Sequence, residues 1–325
     1  MEFILTIDTE ADSQWNHGCD ISLKNIEFVP RFQDLCNKYK IKPTYLVTSE
    51  VCEDDFAKEI FTEYSTLNLA EIGAHLHSWT TAPFLDKVGY RYNDINHAFA
   101  TELPTDLLND KIKILTDQIE TAFGKRPRSF RSGRYGFNDE VARILTENSY
   151  LVDSSVTPYT SWSTNLGIPG AIGGPDFVDK TPLPYKYIFD NKSLIEIPVT
   201  ILPTRFLLNS YPKLSKYYFR NVNKNIALRV LRKLLFKNQP MWLRPSNRMN
   251  ISLFEEILGQ AVILELPFIV MMFHSSELMP GGSYNYPNIN SIENLYFLLE
   301  QFFVLLQDRN IASVTLTEAA KKIVL

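Results

Sequence analysis

Phe3-Ile4-Leu5-Thr6-Ile7-Asp8-Thr9-Glu10 is apolar or β-branched over its first five residues and then ends in two carboxylates. Five such residues are too few for a typical helix and suit a strand buried on both faces. Asp8 and Glu10 stand two residues apart, so in extended backbone both point to one side while Thr9 points away. A second run, Glu71-Ile72-Gly73-Ala74-His75-Leu76-His77, repeats the arrangement with two imidazoles. Carboxylate and imidazole are ligands for zinc and its neighbours, and a buried sheet delivers such ligands to its rim on strand ends. Taken alone, the acids fit an ordinary loop as well, and the histidines fit one core and one surface residue.

Working outward, similar short runs recur at 44–48, 69–74, 128–131, 150–153, 194–199, 268–273 and 313–316. Helical periodicity lies between most of them, at 23–39, 54–64, 105–123, 139–147, 252–265 and 292–308, with Gly124 and Pro127 closing the third. Strands alternating with helices imply parallel pairing, and eight strands apolar on both faces predict an α/β fold, a distorted (β/α) barrel of seven or eight strands. The polar clusters fall at strand C-terminal ends, which places an active site on that rim.

The 325 residues, 45% of them hydrophobic, suffice for one large α/β domain. No repeat or Ser/Gly-rich linker divides them, so 1–325 reads as a single unit with two insertions. The first, at about 158–187, is rich in Pro, Gly and aromatics, which suits either an ordered loop over a pocket or an Ω-like surface loop. The second, at about 205–250, holds eleven Lys or Arg and no Asp or Glu, interleaved with Tyr, Phe, Leu and Trp242. It reads as a basic, partly helical excursion: a docking face for anionic lipid headgroups, a polyprenyl pyrophosphate or an acidic glycan, or else a solvated helical face. The net charge of -4 gives no global pull toward nucleic acid, so no nucleic-acid partner is expected. Cys19, Cys36 and Cys52 have neither metal-knuckle nor redox-pair spacing, which predicts reduced thiols. The chain starts on a strand pattern without a signal-peptide signature, and no apolar run nears the roughly 20 residues that span a bilayer, so a cytoplasmic address is expected, including the inner face of the membrane.

Two further stretches carry chemistry. Ser129-Phe130-Arg131-Ser132-Gly133-Arg134-Tyr135-Gly136 puts a guanidinium at a strand tip, where it can clamp a carboxylate or close the barrel end with a salt bridge, and its turn amides can receive an oxyanion. Val270-Met271-Met272-Phe273-His274-Ser275-Ser276-Glu277 ends a strand in a histidine placed to protonate a departing amine, with Glu277 a candidate substrate contact. Asp153 either orients that imidazole or caps the following turn. Trp79, Trp162 and the 283–286 segment are candidate stacking surfaces for a sugar ring. His17 and His97 have no partner nearby in sequence and are set aside.

With these pieces in order, the chain resembles the polysaccharide deacetylase superfamily (NodB homology, carbohydrate esterase family 4) from Phe3 to about Leu316. The resemblance implies a catalytic base at Asp8, held by Arg131. It implies a metal set in which Glu10 and His77 replace the usual second aspartate and second histidine, Trp79 standing at that histidine's position beside His75. It further implies an oxyanion contact from the Tyr135 amide, an acid at His274 and its partner at Asp153. The activity expected on this basis is metal-dependent removal of an N-acetyl or N-formyl group from an amino sugar of a surface-polysaccharide precursor, lipid-linked or nucleotide-linked, with zinc or another divalent transition metal. Hydrolysis of a non-sugar linear amide and non-catalytic glycan binding are the alternatives.

Overall fold

The protein is described by a computed structural model covering residues 1–12, 21–84, 98–166, 171–203, 211–221, 225–235 and 240–324. Its centre is a curled sheet of eight strands: β1 (Glu2–Thr9), β2 (Pro43–Val47), β3 (Glu71–Leu76), β4 (Ser129–Ser132), β5 (Val152–Asp153), β6 (Tyr185–Phe189), β7 (Lys192–Glu196) and β10 (Phe268–His274), in the order β10-β1-β2-β3-β4-β5-β7-β6. Pairing is parallel from β10 through to β7, and β6 joins the edge antiparallel. This is the distorted NodB-like barrel expected from the sequence, open on one side.

The two faces of the sheet have different contents. Phe3, Leu5, Ile7, Tyr45, Val47, Ala74, Phe130, Ile269, Met271 and Phe273 pack outward into the large core shared with the helices. The alternating residues Ile4, Leu46, Val152, Ile195, Ile197, Phe268 and Val270 form a separate inner cluster. Period-two alternation then makes the inner row of β1 read Ile4-Thr6-Asp8, apolar at one end and acidic at the other. The parallel register sets Asp8 beside His274 and His75 beside Arg131, so the polar tips share one rim.

Of the eight expected strands, the run at 313–316 does not form one. The β1–β2 register begins at Leu5, which leaves one edge of Phe3 open, and there Ser313 makes a single bridge before helix α9 (Leu316–Val324) begins. Val314, Leu316, Ala319 and Ala320 are buried instead as a plug under the inner cluster. The eighth strand is β6, whose alternation of half-buried and exposed residues marks a sheet edge and which lies mostly inside the expected 158–187 loop. The gap between β7 and β10 is bridged by Thr200, whose amide donates to the Val270 carbonyl (3.1 Å) and whose Oγ1 accepts from the Val270 amide (2.7 Å).

Helices α1 (Val29–Lys38), α2 (Asp55–Thr66), α3 (Thr105–Phe123), α4 (Asp139–Glu147), α7 (Ile251–Ile263) and α8 (Ile289–Asp308) fall where periodicity places them. α3 stops at Gly124, which adopts the left-handed φ of 72° that a side chain resists. α8 starts three residues early because Asn288 accepts from the Ser291 amide and caps it there. The basic excursion holds α5 (Pro212–Asn221) and α6 (Ile226–Leu235), and it is flanked by β8 (Ile201–Leu202) and β9 (Met241–Trp242), which pair antiparallel. Cys36 and Cys52 are free and buried; Cys19, His17 and His97 lie outside the described residues. Among the described residues, no helix is long and apolar enough to cross a membrane.

Gly73 on β3 faces Ser129 Oγ and Leu46 Cδ2 so closely that a Cβ would overlap the first and stand 2.7 Å from the second. We expect Gly73→Ala to cost about 2 kcal/mol of unfolding free energy through overpacking, measured by denaturant titration; an unchanged midpoint would refute the packing argument.

Candidate active site

Arg131 is fully buried at the tip of β4 and reaches across the barrel to the first strand. Its Nη1 donates to Asp8 Oδ1 (2.6 Å) and to Thr6 Oγ1 (2.9 Å), while Nε and Nη2 donate to the Ser154 carbonyl (2.7 Å) and Ser154 Oγ (3.1 Å). Burial opposes ionisation of Asp8, but the guanidinium, helped by His75 and His274, holds its carboxyl below the usual aspartate value. One oxygen of Asp8 is thereby fixed, and the other, Oδ2, stands 4.0 Å from His75 Nε2.

Glu10, His75 and His77 converge at the same rim. His75 Nδ1 donates to the Arg131 carbonyl (3.0 Å), which fixes the tautomer and turns the lone pair of Nε2 toward its neighbours. Nε2 of His75 and Nε2 of His77 are 3.0 Å apart, and Glu10 Oε2 lies 3.5 Å from the first and 3.2 Å from the second. Ligands held about 2.1 Å from one ion at tetrahedral angles are separated by about 3.4 Å, so this buried triangle has the dimensions of a metal site. Glu10 Oε2 is buried without a hydrogen-bond partner, which suits an oxygen that would ligate a metal. The donor set of two imidazoles and one carboxylate suits zinc and similar divalent ions. Burial raises the Glu10 pKa, yet His274 and the two imidazoles together hold it well below the ordinary value.

The support behind the triad is equally specific. The Glu10 carbonyl accepts from Asn25 Nδ2 (2.9 Å), and the Glu10 amide donates to Ser275 Oγ (3.2 Å). Lys111 of α3, fully buried, donates to the carbonyls of Ser78, Thr81 and Pro83 and so gathers the loop that follows His77. Trp79 in that loop is buried against the His77 ring at 4.4 Å between centroids. The expected sugar contact thus packs behind a candidate metal ligand.

His274 lies across the rim from the triad, and its carboxylate partner is Glu277, three residues on, rather than Asp153. Nδ1 is 3.2 Å from Glu277 Oε1, which also accepts from the His274 amide (3.0 Å) and from Arg244 Nη2 (2.5 Å). Burial works against the Glu277 carboxylate, but Arg244 and His274 bring its pKa down to about 2. Glu277 is therefore a buried anion behind the imidazole, where the sequence suggested a substrate contact. Asp153 accepts from the amide (2.7 Å) and hydroxyl (2.8 Å) of Ser155, whose Oγ takes the Ser132 amide (2.9 Å). It underpins the turn after Arg131. Its register partner on β7 is Glu196; burial pushes both carboxyls upward, and the neighbouring Asp153 carboxyl pushes Glu196 well above the ordinary value, while the hydrogen bond to Glu196 works against the rise at Asp153.

Above these groups lies a cavity of about 300 Å³. Asp8, Glu10, His75, His77 and His274 form part of its lining, and Phe99, Tyr135, Trp162 and Trp242 supply aromatic walls, with Arg134, Asn165 and Arg244 between them. Tyr135 and Trp162 stack at 5.2 Å, and Trp242 meets Tyr135 edge-on at 5.7 Å. Trp162 and Asn165 come from the first insertion, which to that extent is a loop over a pocket. Arg134 and Tyr135 both adopt left-handed φ (53° and 61°), a backbone cost that orients the turn amides after β4. A second cavity, about 510 Å³, adjoins across Glu10, Arg244 and His274. Arg244, Trp242 and Glu196 escaped the sequence reading because each acts through a contact distant in the chain.

No protein-family model and no curated protein sequence matches the chain. Solved structures do. A provisionally assigned polysaccharide deacetylase from Mycobacterium smegmatis is 13% identical, with 98% of this chain and 89% of that one covered at a TM-score of 0.52. A provisionally assigned glycoside hydrolase/deacetylase from Parabacteroides distasonis is 12% identical, covering 98% and 70% at 0.60. The 4-alpha-glucanotransferase of Thermococcus litoralis is 13% identical, covering 99% and 41% at 0.53. At these identities the likeness is one of fold.

Two outcomes test this geometry. A Cβ at Gly133 would overlap His77 Cδ2 and stand 2.9 Å from its Nε2, so Gly133→Ala should weaken zinc binding about 10- to 100-fold by calorimetry; unchanged affinity removes His77 from the ligand set. The raised Glu196 pKa means that its protonated form is favoured in the fold, so this contribution to stability is complete below the unfolded value and is lost as pH rises through the folded one. Glu196→Gln should flatten that decline in a melting-temperature series across pH, and an unaltered profile would show that the pair does not share a proton.

Proposed function

We propose that this chain, which has the fold of the NodB-like polysaccharide deacetylases, is a metal-dependent hydrolase. Its reaction removes an N-acetyl or N-formyl group from an amino sugar in a surface-polysaccharide precursor, lipid-linked or nucleotide-linked, in the cytoplasm. The observation that carries this reading is the division of labour at one rim: Glu10, His75 and His77 converge on a point, while Asp8 is held apart from them by its own guanidinium.

Glu10, His75 and His77 would hold a divalent ion, zinc or another transition metal, whose chemistry there is Lewis acidity toward an amide carbonyl and a lowered pKa for water. Asp8, kept ionised by Arg131, presents Oδ2 as the base that takes the proton of the attacking water. As the water oxygen bonds to the amide carbon, the turn amide of Tyr135 donates to the developing oxyanion. The C–N bond then breaks, and His274 delivers a proton to the amine. Nδ1 of His274 faces Glu277 and Arg244, so the delivered proton is the one on Nε2, and Glu277 holds the ring in place for the transfer. Products are a free carboxylate and an amine. The aromatic wall that Phe99, Tyr135, Trp162 and Trp242 give the cavity supports a sugar ring as the acyl carrier, since such rings stack their C–H faces on aromatics.

The metal-loaded protein should release acetate or formate from at least one member of a panel of N-acylated amino sugars, free, nucleotide-linked and lipid-linked. Asp8→Asn should lower kcat by about 10²- to 10⁴-fold while bound metal stays stoichiometric. Full activity in that variant, or no release from any panel member, would overturn the reading.

A further inference from the structure

The excursion between β8 and β9 presents a surface the proposed chemistry does not use. α5 is anchored by Tyr218, buried in the main core, and α6 by Leu228, which packs half-buried against that core. Away from these anchors, Tyr211, Leu214, Tyr217, Ile226, Val230 and Leu231 are 43% to 71% exposed. Leu214 and Tyr217 are three apart on α5, just after Tyr211, and Ile226 and Val230 are four apart on α6. The same two helices carry Lys213, Lys216, Arg220, Arg229, Arg232 and Lys233, and no acidic residue lies between 205 and 250.

We propose that α5 and α6 dock on an anionic lipid bilayer, with the aliphatic and tyrosine side chains entering the headgroup boundary and the lysines and arginines facing lipid phosphates. Exposed apolar side chains grouped on short basic helices mark an interaction site rather than a solvated face. Charge complementarity selects the occupant. A second copy of this chain would set the six cations of α5 and α6 against the same six, with no carboxylate on either helix to offset them; Arg229 pairs with Asp179 of the first insertion (3.3 Å). A polyanion such as nucleic acid would satisfy the cations and leave Leu214, Ile226, Val230 and Leu231 in water. A bilayer with anionic headgroups meets both needs, at a gain that grows with each cation near the surface.

The placement also has a use. β8 and β9 pair through Ile201 and Trp242, so the excursion leaves and rejoins the body beside Trp242 and Arg244, which line the cavity. The docking claim stands apart from the deacetylase reading, because binding to vesicles requires no turnover.

Full-length protein should co-sediment with phosphatidylcholine vesicles containing phosphatidylglycerol and bind pure phosphatidylcholine at least about tenfold more weakly, with the difference shrinking at high salt. The quadruple variant Lys213→Glu, Lys216→Glu, Arg232→Glu, Lys233→Glu should lose this preference. Leu214→Ser with Val230→Ser should weaken binding to the anionic vesicles, with an unchanged far-ultraviolet circular dichroism spectrum in each case. Three results would each overturn the proposal: no sedimentation with either vesicle, equal binding to both, or a concentration-dependent dimer that the Leu214→Ser, Val230→Ser pair disperses. Loss of acetate release with vesicle binding intact would count against the activity alone.

Discussion

The buried ion pair between Arg131 and Asp8 is the constraint on which the site rests. Taking both charges out of water costs several kcal/mol per ion, and only a fully bonded arrangement offsets that. Here Thr6, Ser154 and Asp8 together occupy Nε and both terminal nitrogens of the guanidinium. The carbonyl of the same residue sets the tautomer of His75. One strand tip therefore orients the candidate base through its side chain and a candidate metal ligand through its backbone, so displacement of β4 would disturb both together.

Parallel topology makes this economical. Strands that run the same way end on the same rim, and alternation sends every second residue inward, so short apolar runs with polar tips suffice to assemble a site from β1, β3, β4 and β10. For that reason the barrel and the grouping of Glu10, His75 and His77 were legible in the sequence, while the Asp8–Arg131 pairing followed from the family resemblance. The information is local, carried by the last residues of each strand and the one just beyond it.

What was not legible depends on direction in space. Asp153 and Glu277 both follow apolar strands as acids, but only Glu277 sits in the turn that folds back on His274, while Asp153 turns toward Ser155 and Glu196. Trp79 stands two residues beyond His77, and sequence spacing does not tell the cavity side of that ring from its back. The run at 313–316 has strand composition, yet its burial is met by plugging the barrel floor once β1 has β2 and β10 as neighbours. Arg244 reaches the site from an excursion that composition described only as basic.

That last contact ties the basic excursion to the buried acid behind His274. Glu277 Oε1 is shared by Arg244, the His274 amide and the His274 ring, so trimming the excursion past β9 would strip a counter-charge from the buried acid. Changes of length or chemistry between β8 and β9 would leave that charge pairing intact only while the two short strands and the guanidinium beyond them stay in place.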